Sequence, residues 1–317
     1  MKQQNSETTA NIQRLVKDST RILITSHRDG DGDSIGTQLA MCDYLESLGK
    51  AFDCYQHGPT PGYLKFLPGI ERIKDISTLD PAAVEEKFDL AIILECPNLE
   101  RTGDVSKLVS EHTTVVNIDH HADNTGYGTV NWVDGDASSV GELVLNYLEG
   151  VGFRVGVATA ESLYTAIMTD TGRFHYTSAT AGAFEAVARL VATGIDIQRI
   201  CDSVYFSRRP QSIKLTGLAL SQIEYAADDR ICLIPISAGM FEQAGAANGD
   251  TDGIVEYTLY GARSEIGALL REHDAGSVKV SLRSRGSWDV SKIAGQFGGG
   301  GHQNAAAVES AKILSHR

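Results

Sequence analysis

The sequence predicts an α/β fold: a mostly parallel sheet with helices on both faces, followed by a smaller α+β domain. Three observations carry this. The apolar runs Arg21–Ser26 (RILITS), Asp89–Leu94 (DLAIIL) and Val115–Ile118 have the length and β-branched content of buried strands. Stretches with helical periodicity alternate with them or follow them, which is the signature of a parallel sheet. The pattern then changes near Ile195–Pro210, which places a domain boundary there.

In chain order, a polar start leads into the first strand and then into the loop His27–Asp33, which carries three aspartates and two glycines. Ser34 can cap a helix with Ile35, Leu39, Cys42, Leu45 and Leu48 on one face, and Gly49 ends it. The second strand ends in Glu95, and the third delivers Asp119-His120-His121. Helices are expected over Ser138–Glu149, Ala158–Thr169 and Ala181–Thr193, the second of them delivering Asp170. Beyond the boundary, Ile231–Ile236 and the half-buried Ser277–Leu282 read as strands and Asp289–Phe297 as a helix. The glycine run 298–301 follows. The expected division is a first domain over 1–195, a linker over 196–210 and a second domain over 211–317.

Composition narrows the function classes. The 317 residues suffice for two domains with real cores. Twenty-eight basic against 41 acidic residues leave −13, which argues against a grip on long duplex nucleic acid but not against a short anionic substrate. Five scattered cysteines without a CxxC pair read as reduced thiols. No apolar run approaches the roughly 18 residues of a membrane span, and the N-terminus lacks a signal-peptide core, so the expected location is the cytoplasm.

Acids and imidazoles collect at the expected ends of strands and helices: His27, Asp31, Asp33, Glu95, Asp119, His120, His121 and Asp170. The loop at 27–33 has an EF-hand look but lacks the downstream bidentate glutamate, and a solvated acidic turn is the other bland reading. Carboxylates converging without a cation would raise one another's pKa, and divalent metals resolve the conflict. Four carboxylates balance two divalent ions. Oxygen and imidazole donors without thiolate point to manganese or magnesium before zinc, and a metal pair suggests phosphoester hydrolysis.

These residues resemble the motifs of the DHH phosphoesterase superfamily: His27-x₃-Asp31-Gly32-Asp33, the acid at 95 with Arg101-x-Gly103 behind it, Asp119-His120-His121, and Asp170-Thr171-Gly172. Arg283-Ser284 and Gly298–His302 resemble the associated C-terminal domain with its GGGH signature, and the likeness extends from about Arg21 to Val308. It is nearest the bacterial nanoRNase/pAp-phosphatase branch. The resemblance implies that His27, Asp31 and Glu95 hold one metal, and that Asp33, Glu95, His120 and Asp170 hold the other. It implies that His121 contacts the scissile phosphate or leaving group, that Asp119 supports its neighbours, and that Arg101 contacts phosphate or supports the ligands. Arg283, Ser284, Gly299, Gly300, Gly301 and His302 would bind the substrate's nucleotide end. The implied cofactors are two divalent ions, manganese first, with magnesium or cobalt as alternatives. The implied substrates are very short oligoribonucleotides, linear dinucleotides such as pGpG and pApA, and pAp; a homodimer is allowed for.

One departure stands out, since the family usually has aspartate where this chain has Glu95. The longer side chain puts metal preference and rate in question more than reaction class. Two other readings remain. A manganese inorganic pyrophosphatase shares the first-domain motifs but should carry a strongly basic C-terminal signature instead of GGGGH. A catalytically silent nucleotide-binding module is the non-enzymatic alternative, against which the intact ligand set argues. His57, His112, His175, His273 and His316 match no motif and read as structural or surface residues.

Overall fold

The computed structural model describes residues 2–79, 88–273 and 277–312. The polar start is a helix, α1 (Lys2–Asp18), whose Ile12 and Val16, one turn apart, are fully buried. The elements β1 (Arg21–Thr25), α2 (Gly32–Ser47), β2 (Ala51–Gln56), β3 (Ile73–Asp75), β4 (Leu90–Leu94), β5 (Thr114–Asp119) and β6 (Val130–Val133) then build the first sheet. Four helices follow, α3 (Val140–Gly150), α4 (Val157–Asp170), α5 (Ala181–Val191) and α6 (Ile197–Tyr205).

All the strand pairs of this sheet are parallel, in the order β3-β2-β1-β4-β5-β6. β1 is therefore the point where the winding reverses. α/β folds place a crevice outside the C-terminal strand ends at such a switch point, because the connections of the two central strands, here β1 and β4, leave in opposite directions. One face carries the main core, where Ile22, Ile24, Ile92, Leu94, Val116 and Ile118 pack with apolar side chains from the α-helices. The other carries Leu23, Ala91, Ile93 and Val115 under 3-10 segments such as Leu99–Leu108. Helices do cover both faces, but of different kinds.

α2 departs from the one-sided helix expected. Thirteen of its residues are buried, because it lies against the sheet on one side and α4 on another. Gly36 makes this possible, since a Cβ there would come within 2.3 Å of the Ser162 carbonyl oxygen. Leu48, assigned to its apolar face, is 43% exposed because it caps the helix beyond the packed turns. The segment 196–210, read as a linker, contains α6, whose Ile200 is fully buried in the first core.

The chain divides into two units, Met1–Ser207 and Arg208–Arg317. The second contains α7 (Pro210–Leu220), β7 (Glu224–Ala226), β8 (Ile231–Ile236), α8 (Ala238–Ala244), β9 (Ile266–His273), β10 (Ser277–Ser284), α9 (Val290–Gly295), β11 (Gly300–His302) and β12 (Ala305–Lys312). Its sheet runs β11-β12-β10-β9-β8-β7 and is antiparallel except for the parallel β8–β9 pair. β8 and β9 pack on a cluster that includes Leu215 and Ala219 of α7, and Leu282, Ala306 and Val308 pack on Val290 and Ala294 of α9. No helix among the described residues is long and apolar enough to cross a membrane.

Candidate metal centre

The crevice at the end of β1 and β4 is where the acids gather. β1 delivers His27, which is buried, and the chain then turns into α2. The N-cap of that helix is Asp31, not Ser34. Asp31 Oδ1 accepts from the Asp33 and Ser34 amides, each at 3.1 Å, while Ser34 Oγ accepts from the Asp31 amide at 2.8 Å. This reciprocal capping ties up Oδ1. Oδ2 lies 3.9 Å from His27 Nε2.

Asp33, in the first turn of α2, is completely buried. Its oxygens accept the amides of Val140 at 2.7 Å and Gly141 at 2.8 Å, which open α3. The partial positive charge of that helix end offsets part of the cost of burying a carboxylate.

Glu95, directly after β4, is 1% exposed and has a left-handed backbone, φ 51. Such a conformation is uncommon for a residue with a long side chain and costs on the order of 1–3 kcal/mol. The Glu95 amide donates to the Ile118 carbonyl at 2.9 Å, so the turn is pinned to β5. The carboxylate lies between two imidazoles, with Oε2 in close contact with His27 Nε2 and Oε1 3.8 Å from His121 Nε2. Asp119 ends β5 and Asp170 ends α4, and His120 Nε2 is 3.5 Å from Asp170 Oδ2.

Three overlapping groups have ligand atoms within 4.8 Å of one another: His27, Asp31 and Glu95; Glu95, His120 and His121; Asp33, His120 and Asp170. All six residues expected to ligate metal are thus drawn together, and Glu95 and His120 each belong to two groups.

The imidazoles are oriented in one sense. Each Nδ1 faces an oxygen: the Arg28 carbonyl for His27 (2.7 Å), the Ala137 carbonyl for His120 (3.3 Å) and Asp119 Oδ1 for His121 (2.8 Å). A carbonyl can only accept, so in His27 and His120 Nδ1 carries a proton, and Nε2 is the atom turned toward the carboxylates. That is the arrangement of histidines that ligate metals.

The electrostatics agree. Burial, then the neighbouring charge of Asp170, raises Asp33 to about 7, and burial, then Asp31, raises Asp170 to about 6. Burial and the surrounding acids push Glu95 well up. Burial opposes protonation of His120, but Asp170 and Asp33 outweigh it and raise the imidazole. Asp119 differs, because its burial is overcome by His121, by Asn124 Nδ2 at 2.6 Å and by the His120 amide at 2.9 Å, which hold it at about 2. Oδ1 takes two donors and Oδ2 one, so Asp119 orients its neighbours. The clusters as a whole carry an excess of buried negative charge, and a divalent metal ion fits them.

Two asparagines here escaped the sequence reading. Asn124 Nδ2 also donates to Asn117 Oδ1 at 2.8 Å, and Asn117 Nδ2 donates to the carbonyls of Ile93 and Cys96. The network joins the ends of β4 and β5. The only sequence signal was an Asn five residues after Asp119.

Arg101 lies in the segment Leu99–Leu108, and its carbonyl accepts from the Arg28 amide at 2.7 Å. Its Nε is buried with no hydrogen-bond acceptor among the described residues. His57 supports this segment, its Nδ1 accepting from the Asp104 amide at 3.1 Å.

The remaining expected residues form a group of their own in the second unit. Arg283 Nε lies 3.2 Å from Glu256 Oε1. Ser284 is buried; its hydroxyl donates to the Trp288 carbonyl at 2.7 Å and accepts from Asn304 at 2.8 Å, so these bonds hold the loop. Gly299, Gly300 and Gly301 run beside β12, and at Gly301 (φ 142) a Cβ would meet the Ala305 carbonyl at 2.4 Å. His302 ends β11, and its side chain is outside the described set.

The DHH family N-terminal domain matches residues 21–195, and the DHHA1 domain matches residues 233–314. The chain belongs to the DHH family. As a DHH phosphoesterase it is a hydrolase acting on phosphoester bonds. It is 32% identical to the bifunctional oligoribonuclease and PAP phosphatase NrnA of Thermus thermophilus, over 90% of this chain and 83% of that one. It is 25% identical to the protein of the same name from Bacillus subtilis, over 90% and 88%. Among solved structures, an exopolyphosphatase-related protein from Bacteroides fragilis superposes with a TM-score of 0.91 at 27% identity, covering 97% of this DHH chain and 92% of that one.

Proposed function

We propose that this DHH protein uses two divalent ions, manganese first, to hydrolyse very short oligoribonucleotides and linear dinucleotides to mononucleotides, and pAp to AMP. The observation that carries the reading is Glu95. A buried, left-handed carboxylate set between His27 and His121 and surrounded by other acids is costly to hold without cations. The relatives named for oligoribonuclease and PAP phosphatase activity support this substrate class.

His27, Asp31 and Glu95 would hold one ion. Asp33, His120 and Asp170, with Glu95 shared, would hold the other, and each Asp33 oxygen keeps a lone pair beyond its backbone bond. The bound ions would supply Lewis-acid activation of water and of the phosphoryl oxygens. His121, held at Nδ1 by Asp119, orients the scissile phosphate and contacts a phosphoryl or leaving oxygen through Nε2. The Arg101 guanidinium, whose Nε has no acceptor among the described residues, neutralises phosphate charge. Arg283 and the Gly299–His302 strand grip the substrate's far nucleotide.

The test is hydrolysis of pApA and pAp by purified protein, before and after chelation and with manganese restored. Turnover of both substrates that disappears with chelation and returns with manganese is expected. Failure to hydrolyse either under saturating manganese overturns the reading.

A further inference from the structure

The chain has two tryptophans, and they are placed in opposite ways. Trp132 is 6% exposed, whereas Trp288, in the loop between β10 and α9, is 44% exposed. A large indole left open to water on a floppy loop would be unremarkable. This loop is tied down. The Trp288 carbonyl accepts from Ser284 Oγ at 2.7 Å and from Asn304 Nδ2 at 3.2 Å, and Asn304 Nδ2 also reaches the Gly286 carbonyl at 3.2 Å. The next residue but one, Val290, donates its amide to the Gln303 carbonyl at 2.8 Å.

The ring itself is held as well. Its Nε1 donates to Glu265 Oε2 at 2.9 Å, and the same oxygen takes Arg230 at 2.7 Å. The Arg230 guanidinium sits over the ring, 5.7 Å from its centroid. One edge and one face are thus fixed, and much of the rest is open. A cation against an indole enriches the stack on that side. The rotamer is set before any ligand arrives, which removes much of the ordering cost of binding.

Location selects the ligand. The loop leaves from Arg283-Ser284 and is tied back to Gln303-Asn304, just past Gly299–His302, so the indole hangs on the two segments assigned to the substrate's nucleotide end. Aromatic stacking accepts any base because every base has a π-face, which suits an enzyme that degrades short strands of mixed sequence. We propose that the open face of Trp288, backed by Arg230, is a stacking platform for a nucleobase of the short ribonucleotide. The platform rests on the reading of the second unit as the substrate-binding part.

The test uses the full-length protein in two measurements. With turnover stopped by chelation, pApA should change the emission of Trp288, ribose 5-phosphate should not, and Trp288→Ala should abolish the response. With manganese present, Trp288→Ala should raise KM for pApA roughly five- to a hundredfold, the range for losing one stacked base. Trp288→Phe should recover most of that loss, and an unchanged melting temperature in both variants shows that the loop still folds. An unchanged KM in Trp288→Ala overturns the platform alone if wild-type protein hydrolyses pApA. If wild-type protein neither binds nor hydrolyses pApA, the substrate reading falls and the platform falls with it.

Discussion

His121 is locked to Asp119, with Nδ1 2.8 Å from Oδ1, while Nε2 points at Glu95 from 3.8 Å. Asp119 therefore sets both the tautomer and the aim of the ring. Asp119→Asn keeps the shape, but its amide can present N–H to Nδ1 instead of accepting from it, so the ring is no longer held in its aim. The expected result is a fall in kcat for pApA of roughly ten- to a hundredfold at saturating manganese, with the fold intact. Turnover within twofold of wild type would show that the pair does not matter to the reaction.

Glu95 belongs to two of the three ligand groups. Glu95→Gln removes one charge from both, so it should lose most turnover and bind manganese more weakly, as read by metal titration. Glu95→Asp shortens the reach but suits the left-handed backbone, which Asp tolerates better than Glu. It should keep the same reaction with a changed order of metal preference. Normal turnover in the Gln variant would remove position 95 from the ligand set.

Without metal, the same acids should make stability depend on pH. Asp33 rises to about 7 and Asp170 to about 6 in the folded chain, against about 4 when unfolded. Between those values the native state binds more protons than the unfolded one, so stability falls as pH rises from about 4 to about 7. His120, also raised, acts in the same direction. The chelated protein should melt at a lower temperature at pH 8 than at pH 5.5. The gain from added manganese should grow over the same interval, because metal and protons compete for these oxygens. A chelated protein whose melting temperature is flat or rises across this window would contradict the account.

Substituting Arg283 would separate grip from chemistry. It lies in the second unit beside Glu256, whereas the metal-ligand candidates all lie before residue 171. Arg283→Ala should raise KM for a dinucleotide by roughly ten- to a hundredfold, the loss of about 1.5–3 kcal/mol of charged hydrogen bonding. The penalty should be far smaller for a generic phosphodiester too short to reach it. His120→Ala should lose both reactions. Equal damage to both substrates by Arg283→Ala would place that residue at the chemistry or in the fold.

Local signals were enough to find the strands and helices that carry the candidate ligands, because buried strands and amphipathic helices leave periodic marks. They failed at β12, whose alanines are poor strand formers and which is a strand because it pairs with β10. They failed for α1, where a short buried stripe is diluted by polar residues.

Sequence alone named the candidate inventory, since His27, Asp31, Asp33, Glu95, His120 and Asp170 sit at motif spacings with a charge balance ill suited to a bare protein interior. Tertiary structure decided how that inventory is held. The strand order put the ends of β1, β4 and β5 side by side, the amides of Val140 and Gly141 reached Asp33 across more than a hundred residues, and Asn124 closed on Asp119. It also committed Ser284 to its own loop and left Trp288 open beside it. These contacts are made by backbone groups and short polar side chains, which every sequence has in plenty. Only the packing of the sheet chooses which of them meet.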